Sequence, residues 1–317
     1  AEFFEIFKGP NGGYFIDVYS RDKSIKYSYS YQVDHQCENI RKVGVLNRVA
    51  ITSATYYPYF ESLSVLEKLV AIPSKRHIFN INKDLSELIE LGDNFSLETI
   101  IQGQYDLLMG YSLSNNPKDI FHQLNKFDYP TFVVHEFLEP HPLGRVEWIK
   151  VFGVLQGKKV LADKVFYKIM SNYKNLVSKF KAKVPSKFLV AQHYEGSWFV
   201  PGRQSYIYQI LKDLNIKVLL SGDFIKRTKV SREKIIRAME QIDVWLPQSS
   251  IKSKEKLVKY LGASNKKFHI FNIVNKISAQ GANDYWQTGV FRPDMILEDL
   301  IKISEGSSEG LTWYKKL

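Results

Sequence analysis

Two hydrophobic rhythms divide the chain. Around Phe3–Phe7 and Tyr14–Tyr19, apolar and polar positions alternate on either side of Gly9-Pro10-Asn11-Gly12-Gly13, the pattern of two short strands joined by a turn. From Arg48 the rhythm becomes strand, loop, helix. Short buried strands are predicted at Arg48–Thr52, Leu69–Ile72, Asp106–Met109 and Thr131–Val134, with helices at Pro58–Leu66, Ser96–Gln102 and Ile120–Leu124. Then Val165, Phe166, Ile169, Met170, Tyr173, Leu176, Val177 and Phe180 draw one apolar stripe at helical spacing. A continuous helix over 158–181 would be about 36 Å long. Afterwards the first rhythm restarts. Strands are predicted at Phe188–Gln192, Val218–Ser221, Val244–Pro247 and Phe268–Ile273, with helices at Ser205–Leu214, Arg232–Met239, Lys254–Leu261 and Pro293–Ile303.

Strands alternating with helices imply parallel sheets covered on their faces. The expected fold is therefore α/β: two Rossmann-like lobes with parallel sheets, bridged by one long α-helix, plus an N-terminal β-hairpin. The expected divisions are 1–44 for the hairpin, 45–140 for the first lobe, 141–184 for the helical linker, 185–290 for the second lobe, and 291–317 for a final helix and tail. Ligand is expected in a cleft where the strand carboxyl ends of the two lobes face each other.

Length and composition agree with two lobes, since 317 residues exceed what one hydrophobic core usually serves. No apolar run is long enough to span a membrane. The chain starts at Ala1, as a processed or trimmed protein would, so a signal peptide is expected outside it. One cysteine, Cys37, excludes an intramolecular disulfide framework. The net charge of +11 raises the question of a nucleic-acid partner. Its lysines are interleaved with Glu and Ser along helix faces and turns, without basic runs or a nucleic-acid-binding signature, so none is expected.

Several stretches together resemble a known family. They are Ser53-Ala54-Thr55 after the first lobe strand, Leu97-Glu98-Thr99-Ile100 followed by Tyr105-Asp106-Leu107-Leu108, HPLGRVEWIKVFG from His141, WFVPGRQSY from Trp198, VSREKII from Val230, DVWL from Asp243 and NDYWQTGVFRPD from Asn283. Over roughly residues 45–305 the chain is similar to the substrate-binding proteins of ABC importers for iron–siderophore complexes, haem and cobalamin. The resemblance implies two α/β lobes bridged by one long helix and small lobe movement on binding. It also implies that one surface glutamate per lobe meets arginines of the membrane permease. The matching positions are Glu98 and Glu233, each in the first turn of a helix that a serine can cap, where the helix dipole favours negative charge.

Cargo residues are sought in the loops leaving the strands. In the first lobe these supply Tyr56, Tyr57, Lys75, Arg76, Tyr111 and Glu136; in the second, Trp198, Phe199, Arg203, Tyr285 and Trp286. Aromatic walls with a few cations suit a flat, partly anionic metal chelate. Turn residues Gly196, Pro201 and Gly202 predict exposure for Trp198 and Arg203, whereas Trp148 and Trp245 read as core. The run His135-Glu136-Phe137-Leu138-Glu139-Pro140-His141 has a superficial likeness to HExxH, but Glu139 stands at the fifth position and Pro140 disfavours a helix. Direct metal ligation by His135 and His141 is therefore not expected. Glycine-rich phosphate loops and nucleophile elbows are absent, and the Glu136/Glu139 pair lacks the marks of an acid–base couple.

The expected function is capture of a metal chelate, foremost a ferric siderophore, by a monomeric receptor outside the cytoplasmic membrane, periplasmic or lipid-anchored, that delivers it to an ABC-importer permease. No intrinsic cofactor is expected. Cobalamin, or haem ligated by His135, His193 or a tyrosine, is the alternative cargo. A non-transport interaction protein is the alternative class.

Overall fold

The computed structural model describes residues 1–9, 12–24, 26–33, 40–79, 87–93, 95–112, 118–180, 186–223, 227–259, 261 and 268–317. Cys37 and its neighbour His35 lie outside the described residues. The chain forms two compact units. The first comprises 1–139, 143–168 and 280–282; the second comprises 140–142, 169–279 and 283–317.

The first unit holds two sheets. The expected hairpin is present as β1 (Phe4–Lys8) and β2 (Tyr14–Tyr19), paired antiparallel. It is extended by β3 (Lys26–Tyr31) and β4 (Arg41–Val43) into four strands in the order β1-β2-β3-β4. The sequence KYSYSY accounts for β3: alternation places Tyr27, Tyr29 and Tyr31 on one face. Tyr29 stacks on Phe132 with centroids 4.2 Å apart, and its hydroxyl accepts from the Val133 N–H at 3.0 Å. The added sheet is thereby fixed to the lobe.

The lobe's own sheet contains β5 (Val49–Ile51), β6 (Leu69–Ile72), β7 (Ile89–Glu90), β8 (Leu107–Gly110) and β9 (Thr131–Val133), all parallel, in the order β7-β6-β5-β8-β9. Its helices are α1 (Tyr57–Ser62), α2 (Leu97–Gln102) and α3 (Ile120–Asn125), followed by α4 (Pro142–Glu147) and α5 (Ile149–Leu155). Phe152 of α5 stacks on Tyr59 of α1 at 4.5 Å, with Tyr56 and Phe60 against its other sides. Gly110 closes β8 against its neighbours: a Cβ there would lie 2.3 Å from Thr52 Oγ1 and 2.4 Å from Phe121.

The long helix is α6 (Lys159–Lys179), 21 residues and about 31 Å long. Its residues through Lys168 belong to the first unit and those from Ile169 to the second. Ala162, Phe166, Ile169 and Tyr173 are its buried positions, within the predicted stripe.

In the second unit, β13 (Lys217–Val218), β10 (Lys187–Val190), β15 (Val244–Leu246) and β16 (His269–Asn272) are neighbours in that order and run parallel, while β17 (Lys315–Lys316) adds antiparallel to β16. Helices α7 (Tyr206–Asp213), α8 (Arg232–Met239), α9 (Lys254–Val258), α10 (Thr288–Phe291) and α11 (Pro293–Ser304) complete it. A second sheet of β11 (Gln192–Tyr194), β12 (Ser197–Val200) and β14 (Thr228–Val230) grows from the carboxyl end of β10 and pairs antiparallel throughout. Trp245 is core, as predicted, and donates from Nε1 to the Ala191 carbonyl at 2.9 Å. Asp299 in α11 accepts the Thr312 and Trp313 N–H groups at 2.8 and 2.9 Å and so holds the carboxyl-terminal segment.

Candidate functional site

In a parallel sheet the loops beyond the strand carboxyl ends collect functional side chains. In the first unit β5, β8 and β9 are adjacent, so the loops after them meet. Glu136 opens the short 3-10 turn after β9 (Glu136–Leu138), and Thr55 lies in the 3-10 turn after β5 (Ala54–Tyr56). Thr55 Oγ1 donates to Glu136 Oε1 at 3.1 Å. Glu136 is only 7% exposed, and among the described residues nothing donates to its Oε2. Burial pushes its pKa up to about 7, partly opposed by the Arg145 guanidinium and by the Thr55 hydrogen bond. Tyr111, after β8, is 45% exposed and meets Phe137 edge to face at 5.8 Å. Glu136, Tyr111 and Phe137 thus gather at one end of the sheet.

Tyr56 and Tyr57 do not join them on the surface. Each is 1% exposed, because the turn after β5 rolls both rings into the core, and Tyr56 packs on Phe152. After β6, Lys75 and Arg76 occupy a 3-10 turn held by Glu90, whose Oε2 accepts from Ser74 Oγ and the Lys75 N–H. Arg76 is ion-paired with Asp93, so its guanidinium already has a carboxylate.

His135 cannot supply an axial ligand to a haem iron in this arrangement. It is 2% exposed, and its ring nitrogens lie 2.8 Å from the Tyr19 carbonyl and 2.9 Å from the Ser112 carbonyl. His141 Nε2 is 3.1 Å from Asp213 Oδ2, which also accepts from the Tyr173 hydroxyl at 2.7 Å. Among the described residues no group of three His, Cys, Asp or Glu side chains could hold a metal ion.

In the second unit the β11–β12–β14 sheet forms the corresponding platform. Exposure predicted for Trp198 is overturned: at 3% it faces inward beside Trp245, because alternation along β12 sends Trp198 and Val200 into the core. Phe199, on the opposite face, is partly open. Arg227 lies over its ring at 4.9 Å and over Tyr194 at 5.7 Å. Arg227 went unnoticed in the sequence because it sits in a basic stretch far along the chain from Phe199; only the β12–β14 register unites them. Arg203 is exposed as expected, with Nε 3.4 Å from Ser221 Oγ. Tyr285 is fully buried and accepts from the Tyr314 hydroxyl at 3.5 Å, while Trp286, edge-on to Tyr285, is 49% exposed.

Glu98 and Glu233 are both exposed in the first turns of α2 and α8. The serine caps are present: Ser96 Oγ accepts the Thr99 N–H at 3.1 Å, and Ser231 Oγ the Lys234 N–H at 3.4 Å. Hydrogen bonds from its own N–H and from Ser231 hold the Glu233 carboxyl below its usual pKa.

A profile of the periplasmic binding protein family matches residues 49–268. The chain belongs to that family. An uncharacterized lipoprotein of Methanocaldococcus jannaschii is 26% identical over 290 residues, covering 84% of this chain and 67% of its own. A periplasmic binding protein from Veillonella parvula superposes with a TM-score of 0.65 at 14% identity, covering 94% of this chain and 96% of its own. A siderophore-binding protein, BauB, bound to two acinetobactin molecules and ferric iron, superposes at 0.57 and 17% identity, covering 95% and 98%. The family profile begins after β4, so the N-terminal sheet lies outside it.

Proposed function

We propose that this protein is an extracytoplasmic receptor that binds a ferric siderophore and hands it to an ABC-importer permease. The supporting observation is a pair of surfaces in a chain of this family: Tyr111, Phe137 and Glu136 in one unit, Phe199, Tyr194 and Arg227 in the other, where Arg203 and Trp286 are also exposed. Aromatic edges cover an organic scaffold, and guanidinium groups meet its oxygen ligands. Likeness to the ferric-siderophore-bound protein supports this cargo class, and the lipoprotein relative supports attachment outside the membrane. No helix among the described residues is long and apolar enough to cross a membrane.

Binding in this reading needs no covalent chemistry. The cargo displaces water from aromatic surface, and the exposed acids Glu98 and Glu233 then meet permease cations. Tryptophan-fluorescence titration with ferric siderophores, haem and cyanocobalamin tests the cargo class. Saturable quenching by a ferric chelate alone is expected, and quenching by cobalamin or haem alone would overturn the siderophore assignment. Reversing both Glu98 and Glu233 to lysine should leave that titration unchanged and abolish uptake through the cognate transporter. Undiminished uptake would remove the docking role.

A further inference from the structure

Two buried glutamates, three residues apart, are treated very differently by the fold. Glu139 is 2% exposed and fully engaged: Oε1 accepts the Phe3 N–H at 3.1 Å and Trp148 Nε1 at 3.0 Å, and Oε2 accepts the Glu2 N–H at 2.8 Å. Those donors explain it as a structural acid. Glu136 is nearly as buried; the Thr55 hydroxyl donates to its Oε1 and the backbone N–H groups of Glu136 and Phe137 favour its charged form, but its Oε2 has no donor among the described residues. A buried carboxylate oxygen left without a donor is costly, so such a group calls for a partner.

The surroundings narrow what that partner is. Against Glu136 stand Thr55 and Tyr56 from the turn after β5, Tyr59 from α1 and Arg145 from α4. Tyr59 donates to the Arg145 carbonyl at 2.7 Å, and Arg145 Nη2 donates to the Phe137 carbonyl at 3.2 Å. The Tyr59 hydroxyl and Arg145 Nη2 therefore serve backbone oxygens, while Arg145 Nε is buried and donates to nothing among the described residues, and its charge acts on Glu136 without a hydrogen bond to Oε2. Glu136 also lies at the carboxyl end of the sheet, beside the exposed Tyr111–Phe137 pair, where this family fold collects ligand contacts.

We infer that Glu136 determines cargo specificity by accepting, through Oε2, a hydrogen bond from a cationic ammonium arm of the chelate. The inference rests on the ferric-chelate reading above and sharpens it: the cargo is an iron(III) chelate with a pendant amine. Because Oε2 is closed to solvent, binding of the arm requires the short turn 136–138 to open locally. An ammonium ion favours the carboxylate over the acid, so binding drives the Glu136 proton into solvent. Since burial holds this carboxyl near neutrality, affinity for the arm rises between pH 6 and pH 8.

Ferrioxamine B and its N-acetyl derivative share one hydroxamate skeleton and differ in whether the arm carries a charge. Calorimetric titration of both against the wild-type protein and Glu136→Gln, at pH 6 and pH 8 and in buffers of different ionisation enthalpy, tests the inference. At pH 8 the wild type should prefer ferrioxamine B at least ten-fold and release a fraction of a proton per chelate bound. The preference should shrink at pH 6 and vanish in Glu136→Gln. Equal binding of the two chelates by the wild type at both pH values would overturn the inference, as a merely protonated core acid predicts. Binding of ferric enterobactin but neither ferrioxamine would overturn it while leaving the receptor reading intact. Failure to bind any ferric chelate would overturn both.

Discussion

The two units carry candidate surfaces on different kinds of sheet and build them from opposite charges. The first unit places a shielded carboxyl, Glu136, behind the edge-to-face pair Tyr111 and Phe137. The second lays an exposed guanidinium, Arg227, over Phe199 and Tyr194 on a small antiparallel sheet. One is a desolvated carboxyl; the other is a cation spread over rings. A single net charge of +11 hides this division, because surface lysines dominate the sum while chemistry depends on a few placed groups.

The largest expected effect removes the support beneath the second platform. Trp198→Ala should destabilise the protein by about 3–5 kcal/mol in denaturant titrations, since its ring fills the core beneath β12. A loss below about 1 kcal/mol would mean that the platform stands without it.

Glu136→Gln sharpens the contrast from the other side. In the native protein the Glu136 carboxyl holds its proton up to about pH 7, while unfolded glutamate loses it near 4.5. The native state therefore binds more protons across that window, and stability falls as pH rises from about 4.5 to 7. Glutamine does not titrate. The variant should be more stable than wild type at pH 8, by at most about 3 kcal/mol, and show a flatter profile below that. An unchanged pH profile would show that Glu136 is not desolvated.

Smaller effects separate the cations. Arg227→Ala should weaken binding of an anionic ferric chelate by about 1–2 kcal/mol. Arg76→Ala, whose side chain is engaged by exposed Asp93, should change affinity by less than about 0.5 kcal/mol. If the order were reversed, the charge division between the units would be wrong.

The parallel-sheet strands were legible because fully buried strands read as short apolar runs, and α6 because its stripe repeats at helical spacing. The β11–β12–β14 sheet was not, since two of its strands have three residues each and the pairing of Val200 with Thr228 crosses the whole of α7. For the same reason Arg227 and Phe199 could not be connected from their positions in the chain. Tyr56, Tyr57, Trp198 and Tyr285 sit in segments rich in turn and aromatic residues, where composition does not say which way a ring points; the backbone sends all four inward. Glu136 was singled out by its place after a strand. Its unengaged oxygen emerges only when the donors around Glu139 are counted beside it.

The carboxylate of Glu139 has one further consequence, a mechanical one. It grips the backbone at Glu2 and Phe3, so a pull on the amino end of the chain enters the lobe through this side chain, three residues from Glu136, as well as through the Ala1–Glu147 ion pair. Tension on a tether there would load the same short segment that carries Glu136. The N-terminal sheet, stacked on Phe132 through Tyr29, is a second attachment of the amino-terminal region to the lobe.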